Sequence, residues 1–110
     1  MIEIEEYRRD NHVSPFDEWF SCLSVPAASR VSTALLRLEM GNTSNVKWFD
    51  GFGEYRINWG PGLRIYLIKE GQRLIILFGG GDKSSQKRDL AAVKSLIAEY
   101  QRRKASEQKR

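Results

Sequence analysis

Four short apolar segments follow one another between Asn45 and Phe78, and their spacing leaves few folds open. "VKWF", "GEYRINW", "LRIYLI" and "RLIILF" are rich in β-branched and aromatic residues, and Asp50-Gly51, Gly60-Pro61-Gly62 and Glu70-Gly71 separate them with turn chemistry. Connections this short read as an antiparallel meander. The last segment is apolar at almost every position from Leu74 to Phe78, as a strand covered on both faces or lying centrally in the sheet would be.

Other elements flank the meander. "IEIEEY" opposes Ile2 and Ile4 to Glu3 and Glu5, the alternation of a strand with one face exposed. In "SPFDEWFSCL", Ser14 can cap a helix, Pro15 suits its first position, and Asp17 and Glu18 complement its positive end. Phe16, Trp19, Phe20 and Leu23 recur at helical spacing. After the Val25-Pro26 break a second helix places Ala27, Val31, Ala34, Leu35 and Leu38 on one side and Arg30 and Arg37 on the other, with Gly41 as its stop. These two helices are expected to pack antiparallel. A last helix from about Ser84 gathers Leu90, Val93, Ile97 and Tyr100 on one face and runs into a charged end. The division expected is one domain over 1–104 with a basic tail over 105–110.

A chain of 110 residues, 41% hydrophobic and 29% charged, has room for one modest core. No apolar run approaches the roughly 18 residues of a membrane span, and the acidic start lacks the order of a signal peptide, so a cytoplasmic protein is expected. The single cysteine, Cys22, lies in an apolar helical pattern beside Phe20 and Leu23 and is expected in the core. Charge is divided unevenly: residues 1–54 hold nine acids and five bases, 55–100 hold eight bases and four acids, and 101–110 hold five bases and one acid. A basic second half suits nucleic acid or an acidic partner, and a basic end also serves solubility.

If Gly60, Pro61 and Gly62 form a three-residue turn, Trp59 faces Leu63, Ile57 faces Ile65 and Tyr55 faces Leu67 on the core side. The opposite side then pairs Asn58 with Arg64, Arg56 with Tyr66 and Glu54 with Ile68, gathering Glu54, Arg56, Arg64 and Tyr66. Two guanidiniums and a phenol can grip a phosphate and stack on a base; the alternative is a solvated face with a local Glu54–Arg56 pair.

His12, the one histidine, falls in a loop and reads as a surface residue, so a histidine-pair ribonuclease mechanism is not available. No His, Cys, Asp or Glu set stands at metal-ligand spacing, and no cofactor is expected. Glu54, Tyr66, Asp82 and Lys83 remain for proton transfer. "LFGGGDKSSQKRD" fails the phosphate-loop pattern, because Asp82 intervenes between glycine and lysine and the preceding strands form hairpins. Its glycines are expected to permit a sharp exit from the last strand, with Asp82 or Ser84 capping the final helix and Lys83 favouring an anion there.

"GEYRINWGPGLRIYLIKEGQRLIILFGGGDKSSQKRDLAAVKSLIAEY" resembles the phage-derived, Gp49-like or HigB-like branch of the RelE/ParE toxin superfamily, the addiction module killer proteins. The resemblance rests on the E-x-R strand at Glu54 and Arg56, the G-P-G-x-R-x-Y hairpin from Gly60 to Tyr66, and the G-G-D-K-S corner with Asp89 beyond it. It covers nearly the whole chain. It implies a small α+β fold in which two N-terminal helices pack on a twisted antiparallel sheet, with a C-terminal helix. It further implies the toxin of a type II toxin–antitoxin system, acting as a metal-independent mRNA endonuclease at the ribosome.

Such toxins activate a ribose 2′-hydroxyl to attack the neighbouring phosphate, which calls for cationic stabilisation and groups that move protons. On this resemblance Arg56 and Arg64 stabilise the phosphate, Tyr66 stacks or transfers a proton, Lys83 and Asp82 lie where the C-terminal catalytic residues cluster, and Glu54 orients Arg56 or acts as a base. Arg56, Arg64, Lys83, Lys87 and Arg88 form the implied RNA-binding set. The implied partners are mRNA, the ribosome and an antitoxin with a helix-turn-helix domain that brings the pair to operator DNA. The sequence departs from the best-known pattern: Gly79-Gly80-Gly81-Asp82-Lys83 stands where a late catalytic tyrosine or histidine is usual, and Tyr100 comes too late to replace it. Two alternatives share the expectation of an antitoxin: a non-enzymatic inhibitor of DNA gyrase, and an inactive toxin that serves operator repression.

Overall fold

The first helix begins where a buried serine satisfies its free amides. In the computed structural model, which describes residues 1–108, the Ser14 hydroxyl accepts the Asp17 N–H at 3.0 Å and donates to the Glu6 carboxylate at 2.6 Å. That contact ties helix α1 (Pro15–Ser21) to the end of strand β1 (Glu3–Glu6). Helix α2 (Val25–Glu39) starts in the same way, with the Ser24 hydroxyl accepting the Ala27 N–H and Pro26 in the first turn. It buries Ala27, Val31, Ala34 and Leu38, a stripe at helical spacing.

The meander follows as β2 (Val46–Phe49), β3 (Phe52–Ile57), β4 (Leu63–Glu70) and β5 (Leu74–Gly81). A single 3₁₀ turn, Lys83–Ser85, leads into helix α3 (Gln86–Gln108), so α3 continues through residues 105–108 of the segment set apart as a tail. Residues 109–110 of that tail lie outside the described residues. No helix among the described residues is long and apolar enough to cross a membrane.

The expected architecture is overturned. The sheet is mixed, in the order β1-β5-β4-β3-β2, and β1 lies parallel to β5. Helices also stand at both ends of the chain with the meander between them: α1 and α2 cover one face, and α3 covers the other. The alternation in "IEIEEY" marks a strand with two different faces, but says nothing about its neighbour or direction. A parallel pair needs a long crossover, and everything between β1 and β5 supplies it.

Two cores result, one on each side of the sheet. Ile65, Leu67, Ile75 and Leu77 meet Phe16, Val31 and Leu38 beneath α1 and α2. Tyr66, Ile68, Ile76 and Phe78 meet Val93 and Ile97 of α3. At about 1.5–3 kcal/mol for each fully buried large apolar side chain, neither layer is expendable. The continuous apolar run in β5 has its cause here, since α1 lies on one side of that strand and α3 on the other. Cys22 departs from expectation: it is the C-cap of α1 and is exposed, not core.

The β3–β4 register is also corrected. Ile57 pairs with Leu63, Arg56 with Arg64, Tyr55 with Ile65 and Glu54 with Tyr66. The loop therefore holds five residues, Asn58 to Gly62, closed by a turn in which the Gly62 N–H donates to the Trp59 carbonyl at 3.0 Å. Trp59 leaves the ladder and packs against the helical core. The slip is two residues, an even number, so every side chain keeps its predicted face although its partner changes.

Candidate functional site

Register alone assembles the first four residues. Across the sheet, Glu54 lies beside Tyr66 and Tyr66 beside Gly79; in the next row Arg56 lies beside Arg64 and Arg64 beside Gly81. Glu54 and Tyr66 are fully buried. Both oxygens of Glu54 are engaged: Oε2 accepts from Arg56 Nε at 3.0 Å and lies 3.6 Å from an Arg64 guanidinium nitrogen, while Oε1 accepts from Gln86 Nε2 at 2.7 Å. The carboxylate thus holds two strands and the start of α3 together.

The two arginines differ in what they offer to a ligand. The Arg56 side chain is 44% exposed and that of Arg64 only 11%. Two nitrogens of Arg64, Nε and one terminal nitrogen, are buried without a hydrogen-bond partner among the described residues. The terminal nitrogen has only the Glu54 carboxylate at 3.6 Å, too long for a hydrogen bond, and such unsatisfied donors are uncommon because desolvating a donor without replacing its partner costs about 1–3 kcal/mol or more. The Tyr66 hydroxyl is likewise buried and unpaired among the described residues. Burial pushes the Tyr66 phenol well above its ordinary value, and the Glu54 and Asp89 carboxylates push it further, so it stays protonated. Packed in the core under α3, Tyr66 presents no ring face on which a base could stack.

The glycine corner does not work as a turn. Gly79, Gly80 and Gly81 belong to β5 and pair with Tyr66, Ile65 and Arg64; the chain leaves the sheet only at Asp82. The glycines instead admit close neighbours. A β-carbon on Gly80 would lie 2.2 Å from the Trp19 ring of α1, and one on Gly81 would lie 1.8 Å from the Asp89 carboxylate of α3. A bulge beside them brings Leu67 opposite Leu77 and Tyr66 opposite Gly79, with Phe78 as the extra residue.

Asp82 then caps the 3₁₀ turn. Its carboxylate accepts from the Ser84 hydroxyl at 2.6 Å and from the Ser84 and Ser85 amides at 2.9 and 3.1 Å, and its own N–H donates to the Ser85 hydroxyl. The Ser84 hydroxyl foremost, with the amides of this capping box, holds Asp82 below the ordinary aspartate range, which makes it a weak base. Ser85 also donates to Asp89, fixing the carboxylate that stands over Gly81. Lys83 is exposed, and its N–H donates to the Pro61 carbonyl at 3.3 Å, so it sits against the β3–β4 hairpin tip.

Glu54, Arg56, Arg64 and Tyr66 are therefore brought together, and Asp82 and Lys83 lie at the adjoining corner. Lys87 and Arg88 are exposed in the first turn of α3, and no hydrogen bond or ion pair joins them to the Glu54 cluster among the described residues. His12 is exposed, as expected, in a tight loop with positive φ. Gln86 and the Ser85–Asp89 pair were not anticipated. Serine four residues before aspartate was a visible signal for the latter, but nothing local marks Gln86 as the ligand of a carboxylate 32 positions earlier. Chemically, the cluster presents fixed guanidinium donors to an anion such as a phosphate. Its buried carboxylate and phenol are poorly placed to exchange protons with anything arriving from solvent.

No protein-family model matches the chain, and no solved structure matches it. Over 86 residues, spanning 76% of this chain and 87% of the relative, it is 40% identical to an uncharacterized protein of Haemophilus influenzae. At that identity and coverage, the chain belongs to the same family as this Haemophilus influenzae protein.

Proposed function

We propose that the chain is the toxin of a type II toxin–antitoxin pair and acts in the cytoplasm as a metal-independent endonuclease on ribosome-bound mRNA. The observation that supports this reading best is the Arg64 guanidinium, nearly buried, short of hydrogen-bond partners and adjacent to the accessible Arg56. A phosphate meeting Arg56 finds a second guanidinium already oriented, with no reorganisation needed as charge develops on its oxygens. The attacking group is the ribose 2′-hydroxyl. Glu54 is a positioning residue on this reading, because both its oxygens are spent on Arg56, Arg64 and Gln86. Proton movement falls to Lys83 at the exposed corner, and Asp82, its carboxylate taken up by the capping box, holds the turn that carries Lys83. The antitoxin, carrying a helix-turn-helix domain, covers Arg56 and brings the pair to operator DNA.

Inducible expression with and without the adjacent reading frame, followed by 5′-end mapping of cellular mRNA, tests the proposal. Growth arrest with discrete mRNA cuts is expected. Arg56→Ala should lower cleavage by roughly 10²–10³, the usual loss for one oriented donor to a developing oxyanion. Cuts that persist unchanged in an Arg56→Ala, Lys83→Ala double variant overturn these roles.

One observation favours a second reading, a non-enzymatic inhibitor of DNA gyrase. Burial of Glu54 and Tyr66 leaves the cluster better equipped to grip than to move protons. DNA-damage signalling without mRNA cuts would support it.

A further inference from the structure

The other face of the molecule carries a basic groove that the Glu54 cluster touches only through Arg56. Strand β2 is short and pairs with β3 only as far as Tyr55, so the outer edge of β3 at Arg56 and Ile57 has no strand beside it. Between that edge and α2 lies a groove of about 490 Å³. Arg30, Thr33 and Arg37 form one stripe of α2 along it, at i, i+3 and i+7, which places the two arginines about 10 Å apart along the helix axis. Arg56, Asn58 and Trp59 line the opposite wall, and no acidic residue lines the groove. Arg30 and Arg37 make no ion pair among the described residues, whereas Arg9 and Lys104 elsewhere on the surface do.

We propose that this groove binds the backbone of single-stranded RNA, with Arg30 and Arg37 on successive phosphates and Trp59 backing the Arg30 guanidinium. The inference rests on the reading of the chain as an RNA-directed toxin and gives that activity its substrate track. Arg56 joins the two sites, because it lines the groove while its Nε is held by Glu54 on the other side of the sheet. A strand lying in the groove therefore leads over the edge of β3 towards Arg64. The chemistry favours RNA over an acidic peptide: the Arg30 guanidinium lies 5.5 Å from the Trp59 ring centroid, a flat cationic surface for a base, and the exposed Asn58 amide offers both donor and acceptor to a base edge.

The test is fluorescence anisotropy of a labelled oligouridylate against salt concentration, for the full chain and for R30A/R37A, both on the solvent side of α2. The double variant should bind roughly tenfold more weakly or worse, and the slope of log affinity against log salt should fall by about 1.4 for two lost phosphate contacts on a single strand. Arg73→Ala, in the exposed β4–β5 turn, should leave both quantities nearly unchanged. Unchanged binding in R30A/R37A, or an equal loss in Arg73→Ala, overturns the groove. Loss of polyglutamate binding with RNA binding intact reassigns the groove to an acidic peptide and also overturns it. Groove-dependent RNA binding without mRNA cleavage in cells would instead sink the endonuclease reading and leave the groove standing.

Discussion

Glu54 is the residue on which the most depends, because its side chain is wholly buried and connects β3, β4 and α3. Glu54→Ala leaves the Arg64 guanidinium without its counter-charge and should lower unfolding free energy by about 3 kcal/mol in urea denaturation. Glu54→Gln keeps the shape and one acceptor oxygen, so its loss should be clearly smaller; equal losses would mean that packing, not charge, sets the role of Glu54. Gly81 can be tested at the same scale. A β-carbon there would collide with the Asp89 carboxylate, so Gly81→Ala should cost about 1–3 kcal/mol, with much of it recovered when Asp89 is shortened to Ala in the same chain. The sequence displayed three glycines in a row, and a turn was the local explanation. Their actual cause is a ring on one face and a carboxylate on the other: Asp89 is only 8 positions after Gly81, but nothing local shows that α3 folds it back over the strand, and Trp19 lies 61 positions before Gly80.

Element boundaries were the most legible part of the chain, because caps act locally. Ser14 caps its helix as expected, Asp82 caps the 3₁₀ turn that leads into α3 rather than α3 itself, and Ser24, which was not singled out, caps α2; each bonds to amides within three residues. Asp82→Ala should destabilise the protein by about 1 kcal/mol near neutral pH. The acid profile follows from the lowered value of this carboxylate. Its stabilisation is fully present above the ordinary value of 3.8 and is lost as pH falls through the lower folded-state value. The difference in stability between wild type and Asp82→Ala should therefore narrow below about pH 3.8; a gap that is constant down to acid unfolding would rule out the capping box as its source. Pairing was less legible than boundaries. The β3–β4 slip kept the faces because it was even, and so the cluster of Glu54, Arg56, Arg64 and Tyr66 was anticipated from a wrong register.

At the scale of the whole molecule, one sheet separates two cores, and neither helical layer can leave without exposing β5. Unfolding should therefore be a single transition. Trp19 and Trp59 report the α1–α2 face, and far-UV circular dichroism weights the long helix α3. Their urea midpoints should coincide, and an earlier loss of ellipticity would show α3 to be a separate unit. Period and caps, which are properties of neighbouring residues, determined by themselves the helices, the strands and the faces their side chains take. Strand order, the parallel placement of β1, the helical layer on each face and the burial of Tyr66 were decided only in the tertiary structure. Each of these depends on which distant surfaces meet, and a charged alternate in β1 or a phenol in β4 is compatible with either outcome until its neighbour is in place.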